Sequence, residues 1–176
     1  MLSCIAVIAL PPYIGSTDAD VPFQNSSIVG RIMVNIVKRS NVVSAFLPGQ
    51  GQGSVTARSS NASVDLANGV RESGMTPLEL MDAALAGCLV LSARIAARSF
   101  GWHERLNSVT VDVRHEKAPD QPSRIAKFDC VFSIEGDFSE EERQKLIDEA
   151  HRICTVGNTL MSDVEIHDVA EIPADA

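Results

Sequence analysis

One stretch decides the fold of this chain: Thr76-Pro-Leu-Glu-Leu-Met-Asp-Ala-Ala-Leu-Ala-Gly-Cys88. Thr76 is typical of a helix N-cap, Pro77 favours the first helical position, and Glu79, three residues after the cap, completes a capping box. The apolar run continues past Cys88, so we expect a helix that ends at about residue 100, before a glycine. Such a helix is roughly 35 Å long and apolar on nearly every side. It should therefore be a central helix that other elements cover all round.

Antiparallel strands are expected on both sides of this helix. Residues 54–58 and 62–66 form a hairpin pattern that follows a glycine-rich turn. After the helix, residues 109–116 and 126–134 alternate between apolar and polar side chains, which is typical of two strands with one wet face. The segment 164–172 predicts a closing strand.

A second helix is predicted between the last two of these strands. Ser139 and Glu142 form another capping box, and an apolar stripe continues from there to Ile153. Cys154 follows directly and marks the end of the helix. The order of elements predicts an α+β fold, with helices packed on antiparallel sheet.

Composition limits the number of domains. A chain of 176 residues that is 45% hydrophobic can bury one sizeable core. We expect an N-terminal extension over residues 1–48 and a single domain over residues 49–176. Within the extension, residues 28–37 suit a short helix or a strand. Residues 2–10 are apolar, but they lack preceding basic residues and a clear cleavage site, so an extension is favoured over a secretion signal. They are also too short to cross a membrane.

Charge and cysteine content exclude several classes of protein. The formal net charge is -8 and no basic cluster is present, which argues against a nucleic-acid partner. Four cysteines without a CxxC pair indicate neither a disulfide scaffold nor a zinc site. We therefore expect reduced thiols and a cytoplasmic protein.

Two cysteines stand out as candidate functional residues. Cys88 lies within the apolar helix, and Cys154 lies where the second helix stops, which suits a pair in which one thiolate attacks a peroxide and the other thiol resolves the product. A metal site formed by Cys88, His151 and Cys154 is a weaker alternative. Asn158 could bond the turn around Cys154 or orient a substrate. Cys130 is expected in the core.

Two motifs together resemble a known family. The stretch 76–88, followed by Ala150-His-Arg-Ile-Cys-Thr-Val-Gly-Asn158, is similar to the osmotically inducible protein C and organic hydroperoxide resistance family over about residues 50 to 172. The resemblance implies antiparallel sheets wrapped around a long central helix in an intertwined homodimer. It also implies reduction of organic hydroperoxides by Cys88 and Cys154, with no bound cofactor and an external dithiol reductant, dihydrolipoyl groups in relatives.

The resemblance further implies an arginine and a glutamate that activate the thiol. Arg71 is the first choice for the arginine and Arg58 the second. Hydroperoxide-resistance members carry the glutamate directly after the proline, where this chain has Leu78. Glu79 is nine residues from Cys88, about 180° away on an ideal helix, so capping is its safer role. The chain is closest to a Pro-x-Glu-Leu branch.

The sequence leaves two classes of function open. The first is a thiol-dependent peroxidase that acts in oxidative stress defence. The second is a non-enzymatic dimer of the same fold that senses redox state or binds an apolar ligand. This class stays open because Glu79 lies one position later than the glutamate of the hydroperoxide-resistance members.

Overall fold

The computed structural model describes residues 41–69 and 72–172. In chain order the elements are β1 (Val43–Phe46), β2 (Gly53–Ala57), β3 (Ser63–Leu66), α1 (Pro77–Ser99), β4 (Leu106–Lys117), β5 (Ile125–Gly136), α2 (Glu140–Ile153) and α3 (Thr155–Leu160). A short 3-10 turn over residues 103–105 leads into β4. The element expected at residues 28–37, and all of the extension before residue 41, lie outside the described residues.

The first three strands form an antiparallel sheet in the order β1-β2-β3. The predicted hairpin is confirmed as β2 and β3, with Val55 opposite Val64. β1 falls inside the range 1–48 and pairs with β2, Val43 lying opposite Ala57. Gly74 turns the chain from β3 toward α1 at φ +110°, and a Cβ there would collide with the backbone oxygen of Asp65. Only glycine suits this turn, which places the start of α1 beside β3.

Helix α1 forms where the sequence predicted it, because both halves of its capping box are present. The Thr76 hydroxyl accepts the Glu79 N–H at 3.2 Å, and the Glu79 carboxylate accepts the Thr76 N–H at 2.7 Å. Gly101, at φ +73°, takes the left-handed conformation that ends the helix. By length and composition α1 could cross a membrane. It packs against β4, α2 and α3, which accounts for the apolar residues on one of its sides.

One side of α1 is left uncovered by the residues that the structure describes. The sequence predicted cover all round, but Met81 is 39% exposed, Leu91 52% and Ile95 54%. β4, α2 and α3 pack on the opposite side of the helix, where Leu85, Leu89 and the alanines of its second half are buried. Among the described residues, no further element contacts the helix extensively enough to cover the exposed side.

Strands β4 and β5 form a long antiparallel hairpin whose inner face packs on α1. Val111 lies opposite Phe132, and Val113 lies opposite Cys130, so the predicted alternation is confirmed. The predicted second helix is also confirmed as α2, with its capping box between Ser139 and Glu142. Leu146 of α2 is fully buried in a cluster with Ala96 and Ala97 of α1.

The predicted closing strand over residues 164–172 is wrong. This segment has no regular secondary structure, and its apolar side chains are exposed, Ile166 at 94%. A local sequence pattern alone cannot make a strand, because the backbone needs a neighbouring edge to bond, and within the described part of the chain none lies alongside. Helix α3 was not predicted, because its sequence Thr-Val-Gly-Asn-Thr-Leu contains poor helix formers.

Candidate functional site

Cys88 lies halfway along α1 and is half-buried. It packs against a cluster of buried side chains formed by Leu85 and Leu89 of its own helix, Val111 of β4 and Cys154. On the helix, Cys88 lies between this buried side and the side that carries the exposed Leu91 and Ile95. The thiol is therefore both sheltered and reachable.

Cys154 connects two helices and is fully buried. It ends α2 and is the N-cap of α3, where its sulfur accepts the N–H of Gly157 at 3.2 Å. A Cβ added to Gly157 would lie 3.4 Å from that sulfur, in ordinary van der Waals contact. The turn thus brings the second thiol against α1, beside Cys88. Both cysteines are reduced.

The pKa of Cys88 lies below the ordinary value for a thiol. Burial acts in the opposite direction and raises it, but hydrogen bonds from the protein outweigh burial. The strongest comes from the backbone of Val156, followed by the thiol of Cys154. The backbone of Thr155 and the hydroxyl of Ser92 add smaller contributions. Each donor stabilises the thiolate, so Cys88 is the more readily ionised sulfur.

The pKa of Cys154 is shifted the other way. Burial raises it, the backbone N–H of Gly157 lowers it in part, and the neighbouring Cys88 raises it again. Cys154 is therefore the sulfur that ionises less readily, and its thiol helps to lower the pKa of Cys88. The arrangement can supply one nucleophilic sulfur and one protonated sulfur in direct contact.

Two of the residues predicted for activation of the thiol, Glu79 and Arg58, are exposed and contribute nothing to the pKa of Cys88. Glu79 is exposed, and its hydrogen bonds with Thr76 lower its carboxyl pKa, as expected of a helix cap. Arg58 is exposed in the turn between β2 and β3. Arg71 lies outside the described residues. None of the influences on the Cys88 pKa within the described ranges comes from an arginine.

Asn158 and His151 have structural partners. The Asn158 amide donates to the backbone oxygen of Arg152 at 3.1 Å, so it bonds the turn around Cys154. The His151 ring packs edge-on against Phe132, with centroids 5.4 Å apart, and burial lowers its pKa. In residues 41–69 and 72–172, no group of three or more histidine, cysteine, aspartate or glutamate side chains is arranged to bind a metal ion. Cys130 is half-buried, and burial raises its pKa.

Sequence reasoning missed a hydrogen-bonded pair of mostly buried side chains near the start of α1. Asp82 Oδ2 lies 2.7 Å from Nδ1 of His115 on β4, and both side chains are mostly buried. The second oxygen, Oδ1, is buried without a hydrogen-bond partner in the part of the chain that the structure describes. The sequence offered one signal of this pair, because His115 lies on the apolar face of a predicted strand, where a polar side chain needs a partner. The pair links α1 to β4 on the side of the helix that carries the core.

Sequence reasoning also missed the hydrogen-bond donors of Cys88. Ser92 follows Cys88 by four residues, a spacing that places the two side chains on one face of a helix. That spacing was an available signal. The backbone amides of Thr155 and Val156 gave no signal in the sequence, because they reach the sulfur only through tertiary packing.

Comparison with known proteins gives matches to one family. The family model described as OsmC-like protein matches residues 70–167, more than half of the chain. An OsmC-like protein from Mycoplasma pneumoniae has a similar fold, with a TM-score of 0.61 and 19% identity, covering 70% of this chain and 87% of that one.

Two similar structures have informative names. The organic hydroperoxide resistance protein OhrB of Bacillus subtilis matches with a TM-score of 0.55 and 18% identity, over 70% of this chain and 92% of that one. An organic hydroperoxide resistance protein OsmC from Legionella pneumophila matches with a TM-score of 0.55 and 20% identity, over 68% and 87%. At these identities the likeness shows a common fold. No curated protein matches the sequence significantly.

Proposed function

Because the chain belongs to the OsmC-like protein family, we propose that it is a thiol-dependent peroxidase that reduces organic hydroperoxides to alcohols in defence against oxidative stress. The observation that carries the proposal is the contact between Cys88 and Cys154, whose pKa values are shifted in opposite directions. The names of the Bacillus subtilis and Legionella pneumophila proteins support the class of substrate.

The first step uses the thiolate of Cys88. Its sulfur attacks the distal oxygen of the hydroperoxide, the O–O bond breaks, and the departing alkoxide takes up a proton to leave as the alcohol. Cys88 becomes a sulfenic acid and has lost two electrons to the peroxide. The low pKa of Cys88 supports this role, since the thiolate is the nucleophilic form.

The second step uses Cys154. Its sulfur attacks the sulfur of the Cys88 sulfenic acid, a disulfide forms, and water leaves. An external dithiol, of the dihydrolipoyl type, then reduces the disulfide by thiol exchange and becomes oxidised itself. This cycle needs a reducing compartment, so the proposal places the protein in the cytoplasm.

The proposal also assigns a cation to the site. Burial opposes ionisation of Cys88, and a guanidinium near the sulfur would offset that cost and bind the oxygens of the peroxide. Arg71 is the proposed source, because it shortly precedes the helix that carries Cys88. Glu79 is proposed only as a cap.

We also propose that the working unit is a homodimer. Met81, Cys88, Leu91 and Ile95 recur along α1 at the three- and four-residue spacing that places them on one face. Three of these are large apolar side chains left exposed by the single chain. A second copy packed on this face would cover them and would enclose the open side of Cys88.

The experiment that tests the proposed function measures peroxide consumption. Reduced protein receives cumene hydroperoxide with excess dihydrolipoamide, and the remaining peroxide is followed with time. We expect the native chain to consume many equivalents, and Cys88→Ser to consume none, because serine oxygen is not oxidised by peroxide.

Two further variants separate the roles of the cysteines. Without added reductant, Cys154→Ser should consume one equivalent and then hold a sulfenic acid at Cys88 that dimedone traps. Cys130→Ser, a matched change at a cysteine outside the pair, should retain turnover. Turnover that survives Cys88→Ser, or is absent from the native chain, would contradict a peroxidase.

One observation favours a second function, a redox sensor. Among the described residues no arginine acts on Cys88, and Glu79 is engaged at the helix cap. A sensor needs only a single oxidation, so it would form the Cys88–Cys154 disulfide once with one equivalent of peroxide and show no sustained consumption. The same time course therefore distinguishes the two functions.

A further inference from the structure

Ser92 is an unusual residue in the core of this protein. It is 4% exposed and is the only polar or charged residue that is buried in residues 41–69 and 72–172. The other buried positions of α1 hold leucine or alanine. Burying a hydroxyl is costly unless it is hydrogen-bonded, and alanine favours a helix more than serine does. Packing alone would therefore favour alanine at this position.

The place of Ser92 on α1 indicates what its hydroxyl serves. Ser92 lies one turn after Cys88, and side chains four residues apart are neighbours on a helix surface. The thiol of Cys88 borders the same buried face. A hydrogen bond from Ser92 is among those that hold the pKa of Cys88 below its ordinary value.

We propose that Ser92 is a catalytic residue whose hydroxyl donates a hydrogen bond to the Cys88 sulfur, first as the thiolate and then as the oxidised sulfenate. The Ser92 hydroxyl complements the backbone donors of Thr155 and Val156, which belong to α3. The inference rests on the proposed function in one respect, that Cys88 is the attacking thiolate.

A purely structural role for Ser92 makes a different prediction. Serine in a helix can donate to the backbone oxygen of a preceding turn. Ser99 does so in the same helix, bonding the oxygen of Ala96 at 2.8 Å. If Ser92 acted in that way alone, its removal would change stability and would leave the ionisation of Cys88 unchanged.

The test measures the ionisation of Cys88 without peroxide. The full reduced chain is alkylated with iodoacetamide between about pH 5 and about pH 10, and mass spectrometry follows the Cys88 peptide separately. We expect Ser92→Ala to raise the Cys88 pKa by about one unit and to slow alkylation at pH 7 about tenfold. Ser99→Ala, the matched control, should leave both unchanged.

A second pair of variants isolates the hydroxyl from side-chain size. Ser92→Thr keeps the donor and Ser92→Val replaces it with a methyl group of the same shape. The threonine variant should retain the native pKa, and the valine variant should show the raised one. Equal pKa values for the two, or a native pKa in Ser92→Ala, would overturn the proposal.

The two proposals can fail separately. Alkylation requires no peroxide and no reductant, so a native chain that consumes no peroxide leaves this test intact. If the chain is a peroxidase, its rate with cumene hydroperoxide at pH 7 should fall in Ser92→Ala in proportion to the alkylation rate.

Discussion

Cys88 and Cys154 acquire different properties because their surroundings supply different hydrogen bonds. Both lose hydration on burial, which raises the pKa of a thiol. Cys88 receives donors from Val156, Thr155 and Ser92 in addition to the thiol of Cys154, and its pKa falls. Cys154 receives the N–H of Gly157 but must also donate to Cys88, and its pKa rises. A few individual contacts thus determine which of the two thiols ionises more readily.

Glu79 is a second residue whose role depends on one contact. Its carboxylate bonds the backbone of Thr76, so we expect Glu79→Ala to lower the melting temperature through loss of the cap. Thr76→Ala removes the reciprocal bond and should cost about 1 kcal/mol in the free energy of unfolding. Neither variant should change the alkylation rate of Cys88 or the rate of peroxide consumption.

The opposite pattern would identify Glu79 as a functional residue. Activity lost in Glu79→Ala but retained in Thr76→Ala, at similar melting temperatures, would contradict the capping role. Differential scanning calorimetry and the peroxide assay together provide the comparison.

At the scale of elements, polar contacts fix how the helices and strands meet. Asp82 and His115 join α1 to β4, as described above. At the other end of the fold, the Arg105 guanidinium precedes β4 and contacts Glu142 at the start of α2, at 2.6 Å. The same guanidinium lies over the ring of Phe138, 4.7 Å from its centroid. One arginine therefore joins the beginning of the hairpin to the helix that follows it.

The Arg105–Glu142 pair predicts a dependence of stability on pH. The hydrogen bond with Arg105 lowers the pKa of Glu142 from 4.5 to about 2, with a further contribution from the Ser139 backbone. Because the folded pKa is the lower one, the stabilisation is complete above pH 4.5. It is lost as the pH falls from there toward about 2.

Melting temperatures measured across this pH range test the prediction. The native chain should lose stability more steeply than Glu142→Gln, which carries no ionisable group at this position. Glu140→Gln, two residues earlier and outside the pair, should follow the native curve. Parallel curves for the native chain and Glu142→Gln would show that the pair contributes nothing.

At the scale of the whole molecule, the described residues of one chain leave large apolar side chains uncovered. The face of α1 with Leu91 and Ile95 is exposed, as are Phe46 of β1 and Ile166 of the C-terminal segment. Contiguous apolar patches on soluble proteins usually mark contacts with another molecule. The segment 164–172 also exposes apolar side chains, and no strand in residues 41–69 and 72–172 pairs with it.

The proposed homodimer predicts the effect of a charge on this face. Ile95→Glu would bury an unpaired carboxylate in the contact, so we expect the dissociation constant of the dimer to rise about a hundredfold. Sedimentation equilibrium measures the constant directly. Ala83→Glu, on the same helix but off this face, is the control and should remain dimeric.

A native chain that sediments as a monomer would remove the basis of this prediction and of the homodimer. An unchanged dimer in Ile95→Glu would show instead that the contact uses another surface.

The elements that the sequence predicted correctly depend on short-range interactions. Both capping boxes join residues three apart, and the alternation in β4 and β5 reflects one wet and one dry face. The predicted strand over residues 164–172 was wrong because a strand needs a partner edge, which no local pattern supplies. Helix α3 was missed because its cap is a cysteine and its residues are poor helix formers.

The sequence by itself determined the two long helices, the hairpins, the family resemblance and the two cysteines. These follow from contacts within a few residues or from motifs read along the chain. Only the tertiary structure decided that Cys88 meets Cys154, which donors surround each sulfur, that Asp82 pairs with His115, and which side of α1 stays uncovered. Those properties depend on packing between elements that are distant in sequence. Hydrophobic periodicity and helix caps are local patterns, so they do not indicate which distant elements come into contact.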